Sequence, residues 1–211
     1  YGQTYTDCWI NSDGNISFEG GYEFQRRDPA AFLNFMPRVA GLYTDMAKNP
    51  GDNKISIEPY SDHIIFHYTN LAQWGTGPIS IGSNTVHITL WLDGSIDFHF
   101  GSCTMSQSQE DENGVLWKGV VGVGPGAVLN APMTDLSAQT GTIYIPPNTP
   151  VYQAFRNTDT FDLSNTTLHF EPRTFVPVET VYFPRMSYVP GAWADGYGFV
   201  NPNASAATVR F

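Results

Sequence analysis

The chain has 211 residues, enough for one large domain with a substantial core. Charged residues make up 14% of it, roughly half the usual share for a soluble domain. The 20 acidic and 10 basic residues give a net charge of −10, which makes nucleic acid and anionic membranes unsuitable partners.

The first elements predicted along the chain are short antiparallel strands. Cys8-Trp9-Ile10 and Ile16-Ser17-Phe18 flank Asn11-Ser12-Asp13-Gly14, a sequence typical of a hairpin turn. Pro29 is placed to begin one or two helical turns. An extended segment, residues 37–43, is predicted next.

The strongest local signal is a hairpin over residues 84–100, turning at Asp93-Gly94. Alternating apolar residues before it, at 55–57 and 64–68, predict two further strands. A two-residue turn pairs Trp91 with Ile96 and places His87 and His99 on opposite faces of the hairpin.

The remaining strands are predicted at residues 117–123, 142–145, 151–155 and 167–170. The last forty residues contain five prolines, which exclude long regular strand pairing. We therefore predict an all-β fold, an antiparallel β-sandwich over residues 1–170 with a Pro-rich C-terminal extension over 171–211. Thr180 to Phe183 and Thr208 to Phe211 are the edge strands expected in that extension, which links modules or assembles them.

The two cysteines, Cys8 and Cys103, each lie beside a predicted strand. A single pair in a chain rich in Asn, Thr and Tyr favours a long-range disulfide of an exported protein, the alternative being two buried thiols. No run approaches the roughly 20 apolar residues that span a bilayer. The chain begins at Tyr1 with residues typical of a strand. We therefore expect a mature chain whose export signal has been removed. Its expected location is outside the cell or on the cell surface.

Several motifs occur in a recognisable order. They are Tyr1-Gly2-Gln3, the hairpin from Trp9 to Phe18, Pro37 to Met46, the Asp93-Gly94 hairpin, and Val120 to Gly126. In this order the chain resembles the nidogen-like β-sandwich modules of secreted and cell-surface proteins, particularly the bacterial ones. The resemblance covers residues 1–170 and implies an adhesive or structural module without catalytic residues.

Candidate metal ligands fall into two groups. Asp45, Asn49, Asp52 and Asn53 supply oxygens in one short loop and suggest Ca²⁺, although their spacing does not match an EF-hand and such loops are commonly turns. The acidic run at residues 110–112 is a second oxygen-rich loop. His63 and His67 share a strand face about 13 Å apart, too far for one ion. A zinc or copper site would also need His87 and His99 from neighbouring strands, which the expected register places on opposite faces, so the alternative is exposed or satisfied histidines.

We do not expect an enzyme, because no nucleophile elbow, metalloprotease helix or phosphate loop is present. Paired carboxylates such as Asp93/Asp97 and Glu58/Asp62 are the groups that glycoside hydrolysis uses, but Asp93 is better explained by its turn and Asp97 by a solvent face. Three acceptor triplets for N-glycosylation begin at Asn15, Asn165 and Asn203. Trp74, Trp193 and Tyr197 lie in Gly/Pro-rich stretches where an aromatic side chain can stack on a sugar or a partner.

The expected function is that of an extracellular adhesion or structural module acting by protein–protein contact, as a subunit of a surface filament or matrix. Its partners are then other protein subunits, including copies of itself, or surface glycans. A carbohydrate-binding module is the first alternative and a secreted polysaccharide-active enzyme the second.

Overall fold

The computed structural model describes residues 4–21, 26–47, 54–75, 81–173, 196–198 and 209–210, the last two segments by their backbone. These residues form one short helix, α1 (Pro29–Leu33), and sixteen strands. In chain order the strands are β1 (Thr4–Tyr5), β2 (Trp9–Asn11), β3 (Asn15–Ser17), β4 (Arg38–Tyr43), β5 (Met46–Ala47), β6 (Lys54–Pro59), β7 (His63–Gln73), β8 (Ile81–Trp91), β9 (Ile96–Cys103), β10 (Gln109–Glu110), β11 (Leu116–Gly124), β12 (Thr142–Ile145), β13 (Val151–Arg156), β14 (Thr167–Pro172), β15 (Gly196–Gly198) and β16 (Val209–Arg210).

The strands form two large sheets and one small one. In the first sheet β10, β11, β4, β3, β2 and β15 are neighbours in this order, and β13 also pairs with β11. In the second sheet the order is β12, β14, β9, β8, β7 and β5, and β6 also pairs with β7. Strands β1 and β16 form a separate pair. The predicted sandwich is confirmed, with one parallel pair, β12 with β14, among the described strands.

One apolar core joins the two sheets. Along the long strands of the second sheet, polar residues alternate with apolar residues that point inward. At Gly41 of β4 the sheets approach closely, because a Cβ there would lie 2.8 Å from a Val86 methyl group. The core includes Ile10, Ile16, Val39, Leu42, Val121 and Val123 of the first sheet and Ile64, Phe66, Tyr68, Val86, Ile88, Leu90, Ile96, Phe98 and Phe100 of the second.

The central hairpin differs from the prediction in its register. Leu90 pairs with Ile96, not Trp91 with Ile96, so Trp91 lies opposite Ser95 and the loop between these two residues has three, Leu92 to Gly94. The Trp91 amide donates to the Ser95 carbonyl at 3.0 Å, and Gly94 has a φ of +87°. A left-handed third loop residue is typical of a type I turn followed by a bulge. Compared with the predicted two-residue turn, the third loop residue shifts the register by one and so changes which β8 side chains point outward.

The outer face of the first sheet is covered by a second apolar cluster. Helix α1 begins as predicted at Pro29, and the Asp28 carboxylate accepts from the Ala31 amide at 2.8 Å as its N-cap. Phe32 of the helix packs against Tyr152 with ring centroids 5.6 Å apart. Phe32 and Tyr152 belong to a cluster with Ala31, Leu33, Ala40, Tyr43, Trp117, Val120 and Ala154.

In its described residues, the C-terminal extension has two short strands, β15 and β16. β15 pairs antiparallel with β2, and β16 pairs antiparallel with β1. β16 falls within the expected strand from Thr208 to Phe211. The other expected strand, Thr180 to Phe183, lies outside the described residues.

We predict that Phe98→Ala lowers the free energy of unfolding by about 3–5 kcal/mol, because it removes a fully buried ring from the core. The Phe98 centroid lies 5.2 Å from that of Phe170 and 6.2 Å from that of Phe100. Urea denaturation measures the change. Leu129→Ala is the control, since Leu129 is 85% exposed and its loss should cost less than about 0.5 kcal/mol; equal effects of the two substitutions would contradict this placement of the core.

Candidate functional site

All five histidines of the chain lie on the outer face of the second sheet. His63 and His67 are on β7, His87 on β8, His99 on β9 and His169 on β14. In each strand the neighbouring apolar residues point into the core, so the alternation of the strand turns the imidazoles outward. We call this surface the open face, because within the described part of the chain no apolar cluster lies over it.

Three of these histidines form a row across neighbouring strands. His67 is directly opposite His87, and His87 is directly opposite His99. The ring centroids of His67 and His87 are 4.4 Å apart, and those of His87 and His99 are 6.0 Å apart. The prediction that His87 and His99 lie on opposite faces is therefore wrong, because the three-residue loop shifts β8 by one position against β9.

The two outer rings of the row are each held by one oxygen. His67 Nε2 lies 3.2 Å from a Glu58 carboxylate oxygen, and His99 Nδ1 lies 2.9 Å from the Thr167 hydroxyl. The central ring, His87, contacts the other two rings and has no hydrogen-bond partner among the described residues. Burial, together with the neighbouring imidazoles, lowers the pKa of His87.

His169 has a different environment at one side of this row. Its Nδ1 lies 2.6 Å from Asp97 and its Nε2 lies 3.1 Å from Glu171. Burial alone would lower the pKa of His169, but the two carboxylates together raise it. The sequence analysis missed this group, although the polar residues at 167, 169 and 171 alternate with buried Leu168 and Phe170 and so share a face with one another.

An aromatic stack runs along one end of the open face. The Tyr60 and His63 rings are stacked with centroids 4.4 Å apart, and His63 is 4.4 Å from Trp91. The Tyr60 hydroxyl donates to Glu58, which lowers the pKa of that carboxyl. His63 covers one face of the Tyr60 ring, and Tyr60 is 43% exposed.

Two surface grooves are described. One lies on the open face and has a volume of about 440 Å³; its lining residues are Lys54, Ser56, Ile57, Glu58, His67, Thr69 and His87. The other, of about 310 Å³, lies between α1 and the turn after β10, lined by Arg26, Asp28, Ala30, Ala31, Asn34, Phe35, Asp111, Glu112 and Asn113.

Of the four predicted calcium ligands, the structure describes only Asp45. Asp45 is buried, and its carboxylate lies 3.9 Å from the Arg27 guanidinium. Asn49, Asp52 and Asn53 lie outside the described residues. In the second acidic loop, the Asp111 carboxylate accepts from backbone amides and from the Trp117 indole, as in a turn. Across the described ranges, no group of three or more His, Cys, Asp or Glu side chains is placed to hold a metal ion.

Of the three predicted aromatic ligand residues, only Trp74 is described with its side chain. Trp74 is 51% exposed, and its backbone amide donates to the Asp45 carbonyl at 2.9 Å. Tyr197 pairs with Ile10 through its backbone in β15. Trp193 lies outside the described residues.

The glycosylation triplets have different environments. Asn15 is 0% exposed, and its side-chain oxygen accepts from the Asn11 amide at 3.0 Å, so the folded protein offers no space for a glycan there. Asn165 is exposed in a turn with a φ of +60°. Asn203 lies outside the described residues.

The predicted disulfide is not present in the structure. Cys8 and Cys103 are free and buried, each among apolar side chains of the main core. The Cys103 thiol donates to the Thr85 carbonyl at 3.3 Å. Burial raises the pKa of Cys8 to about 12 and that of Cys103 to about 11, so both sulfurs remain protonated at neutral pH.

Comparisons of this chain with protein-family models, curated proteins and solved structures found no match. The resemblance to nidogen-like modules therefore stays a prediction. Within the described residues, the structure contains no helix that combines the length and the apolar character needed to cross a membrane.

We predict that neither thiol reacts with a thiol-specific reagent in the native protein, because both are buried and protonated. Two thiols per chain should react after denaturation without a reductant. Absorbance of the released thiolate measures the number. A native protein that remains unreactive after denaturation would contain the disulfide and contradict the structure.

We predict that His169 titrates above the ordinary pKa of histidine and that Glu171→Gln lowers its pKa by removing one carboxylate. NMR of the imidazole resonances against pH measures both values. Because the folded-state pKa is raised, His169 stabilises the fold fully below its unfolded pKa, and this contribution is lost as the pH rises through its folded pKa. The unfolding free energy of wild type relative to His169→Gln should therefore fall from pH 5 to pH 8; a rise would refute the assignment.

Proposed function

We propose that this chain is a structural or adhesive module that works outside the cell and joins further copies of itself by strand pairing. The observation that carries the proposal is the pairing of β15, from the C-terminal extension, with the edge strand β2. In this arrangement the first sheet is completed by a strand from the far end of the chain.

The β2 edge has the properties of a strand-binding site. On one side β2 pairs with β3, and on the other side its residues Trp9, Ile10 and Asn11 pair with Gly198, Tyr197 and Gly196. Without β15, the backbone amides and carbonyls on that side of β2 would lack strand partners. An unpaired edge of this kind accepts an extended segment from any chain that can supply it.

The connection leading to β15 is long enough to reach a neighbouring copy. β14 ends in the second sheet at Pro172, and β15 begins in the first sheet at Gly196. Residues 174–195 lie between Arg173 and β15, and 22 residues span at most about 80 Å when extended. Exchange of an identical element between copies has a low energetic cost, because the same contacts form within or between chains.

The composition supports a location outside the cell. The low share of charged residues and the many Asn, Ser and Thr residues are the features on which this part of the proposal rests. The nidogen-like resemblance supports an adhesive or structural role in the same way. The open face is a shallow polar surface and supports contact rather than catalysis.

The test uses two variants, Trp9→Cys and Gly198→Cys, each made in a chain whose own cysteines, Cys8 and Cys103, are replaced by alanine. The two new cysteines replace residues directly opposite each other. A disulfide needs Cα atoms about 4.4–6.8 Å apart, a separation that opposed strand residues provide. We expect a disulfide-linked dimer when the two variants are mixed at high concentration, refolded together and oxidised. Non-reducing electrophoresis detects it.

Two controls define the result. The double variant, with both cysteines in one chain, should form an internal disulfide if β15 pairs with β2 in the described register. The control mixture combines Trp9→Cys with Gly196→Cys, whose new cysteines are out of register because Gly196 lies opposite Asn11. If the double variant forms its internal disulfide and the in-register mixture yields no more dimer than the control mixture, strand exchange between copies is disproved.

A further inference from the structure

Each pair of neighbouring imidazoles in the row on the open face has the spacing of two ligands of one metal ion. In protein sites a metal–nitrogen bond is about 2.0–2.1 Å long, so two imidazoles on one ion have centroids roughly 4.5–6 Å apart. The His67–His87 separation of 4.4 Å lies at the lower limit of this range, and the His87–His99 separation of 6.0 Å lies at its upper limit. Neighbouring rings in the row are therefore spaced for a shared ion.

The same geometry explains why no three-ligand group is found in the described residues. His67 and His99 belong to strands on either side of β8, roughly 9–10 Å apart at the usual strand spacing. One ion can contact two adjacent rings but not both outer rings. Any site in this row is thus formed by two imidazoles, with solvent in the remaining positions.

We propose that His67 and His87 bind one divalent late transition-metal ion on the open face. Imidazole nitrogen suits Zn²⁺, Cu²⁺ and Ni²⁺, whereas Ca²⁺ prefers oxygen ligands. This proposal does not depend on strand exchange, since β7 and β8 pair within the second sheet whether or not β15 is supplied by another copy.

The hydrogen bonds leave suitable nitrogens available on both rings. Glu58 holds His67 through Nε2, which leaves Nδ1 for the ion. A carboxylate on the second nitrogen is the usual partner of a metal-bound histidine, because it fixes the ring and increases its basicity. His87 has no hydrogen-bond partner among the described residues and contacts only the rings of His67 and His99, so neither of its nitrogens is held by another group.

The groove beside the pair favours His67 over His99 as the second ligand. Its volume of about 440 Å³ has room for the ion and its water ligands, and its lining includes both His67 and His87. Glu58 contributes a negative charge to this lining, whereas Lys54 opposes a cation. The net charge of −10 attracts cations to the protein as a whole.

The test is a Zn²⁺ titration of the full chain by calorimetry at pH 7.5, after metal has been removed with a chelator. We expect one saturable ion per chain and at least about tenfold weaker binding for both His67→Gln and His87→Gln. Glu58→Gln should weaken binding about tenfold through the lost carboxylate, and Lys54→Gln should strengthen it. Ca²⁺ should not bind.

His169→Gln is the matched control, because both nitrogens of this histidine on the same face already contact carboxylates. It should leave Zn²⁺ binding unchanged. NMR should show Zn²⁺-dependent shifts of the His67 and His87 ring nitrogens, and thermal unfolding without metal should show that each variant is folded.

Three results would show that this histidine row holds no ion at His87, and a fourth would move the ion to another pair. These are an absence of saturable Zn²⁺ binding, binding that His87→Gln leaves intact in a folded protein, and binding lost equally in His169→Gln. Loss in His99→Gln but not in His67→Gln would move the ion to the other pair and refute the assignment to His67.

Discussion

The register between β8 and β9 is the constraint on which the other features of the second sheet depend. A three-residue loop with Gly94 in a left-handed conformation sets Leu90 opposite Ile96. Because side chains alternate along a strand, this register places the side chains of Val86, Ile88 and Leu90 in the core. A shift of one residue would bury His87 and expose apolar residues, at a large cost in desolvation.

The two sheets use their outer surfaces differently. The first sheet is apolar on both sides, and α1 and the loop after β11 cover its outer side with a second small core. The second sheet is apolar on one side, and its outer side carries imidazoles, carboxylates and aromatic rings. Antiparallel sheets commonly have one solvated face, so the polar groups best placed to meet a ligand are concentrated on the open face.

Much of the fold could be predicted from the sequence, because it depends on local patterns. The β2–β3 hairpin, the start of α1 at Pro29 and the strands around Asp93-Gly94 follow from turn residues and alternation. The register could not be predicted, since Asp-Gly fits both a two-residue turn and the last two positions of a three-residue loop. The histidine row was missed for that reason, and the contacts of His169 require knowing that β14 lies beside β9. The disulfide was inferred from composition, which carries no information on whether the two sulfurs can meet.

The state of the two sulfurs also bears on where the chain can fold. A domain stapled by a disulfide gains that part of its stability only where oxidants are present. Here the core that contains Cys8 and Cys103 is complete with both sulfurs reduced and shielded. The stability of the fold therefore does not depend on the redox potential of its surroundings. The same core can form under the reducing conditions inside a cell and persist under oxidising conditions outside it.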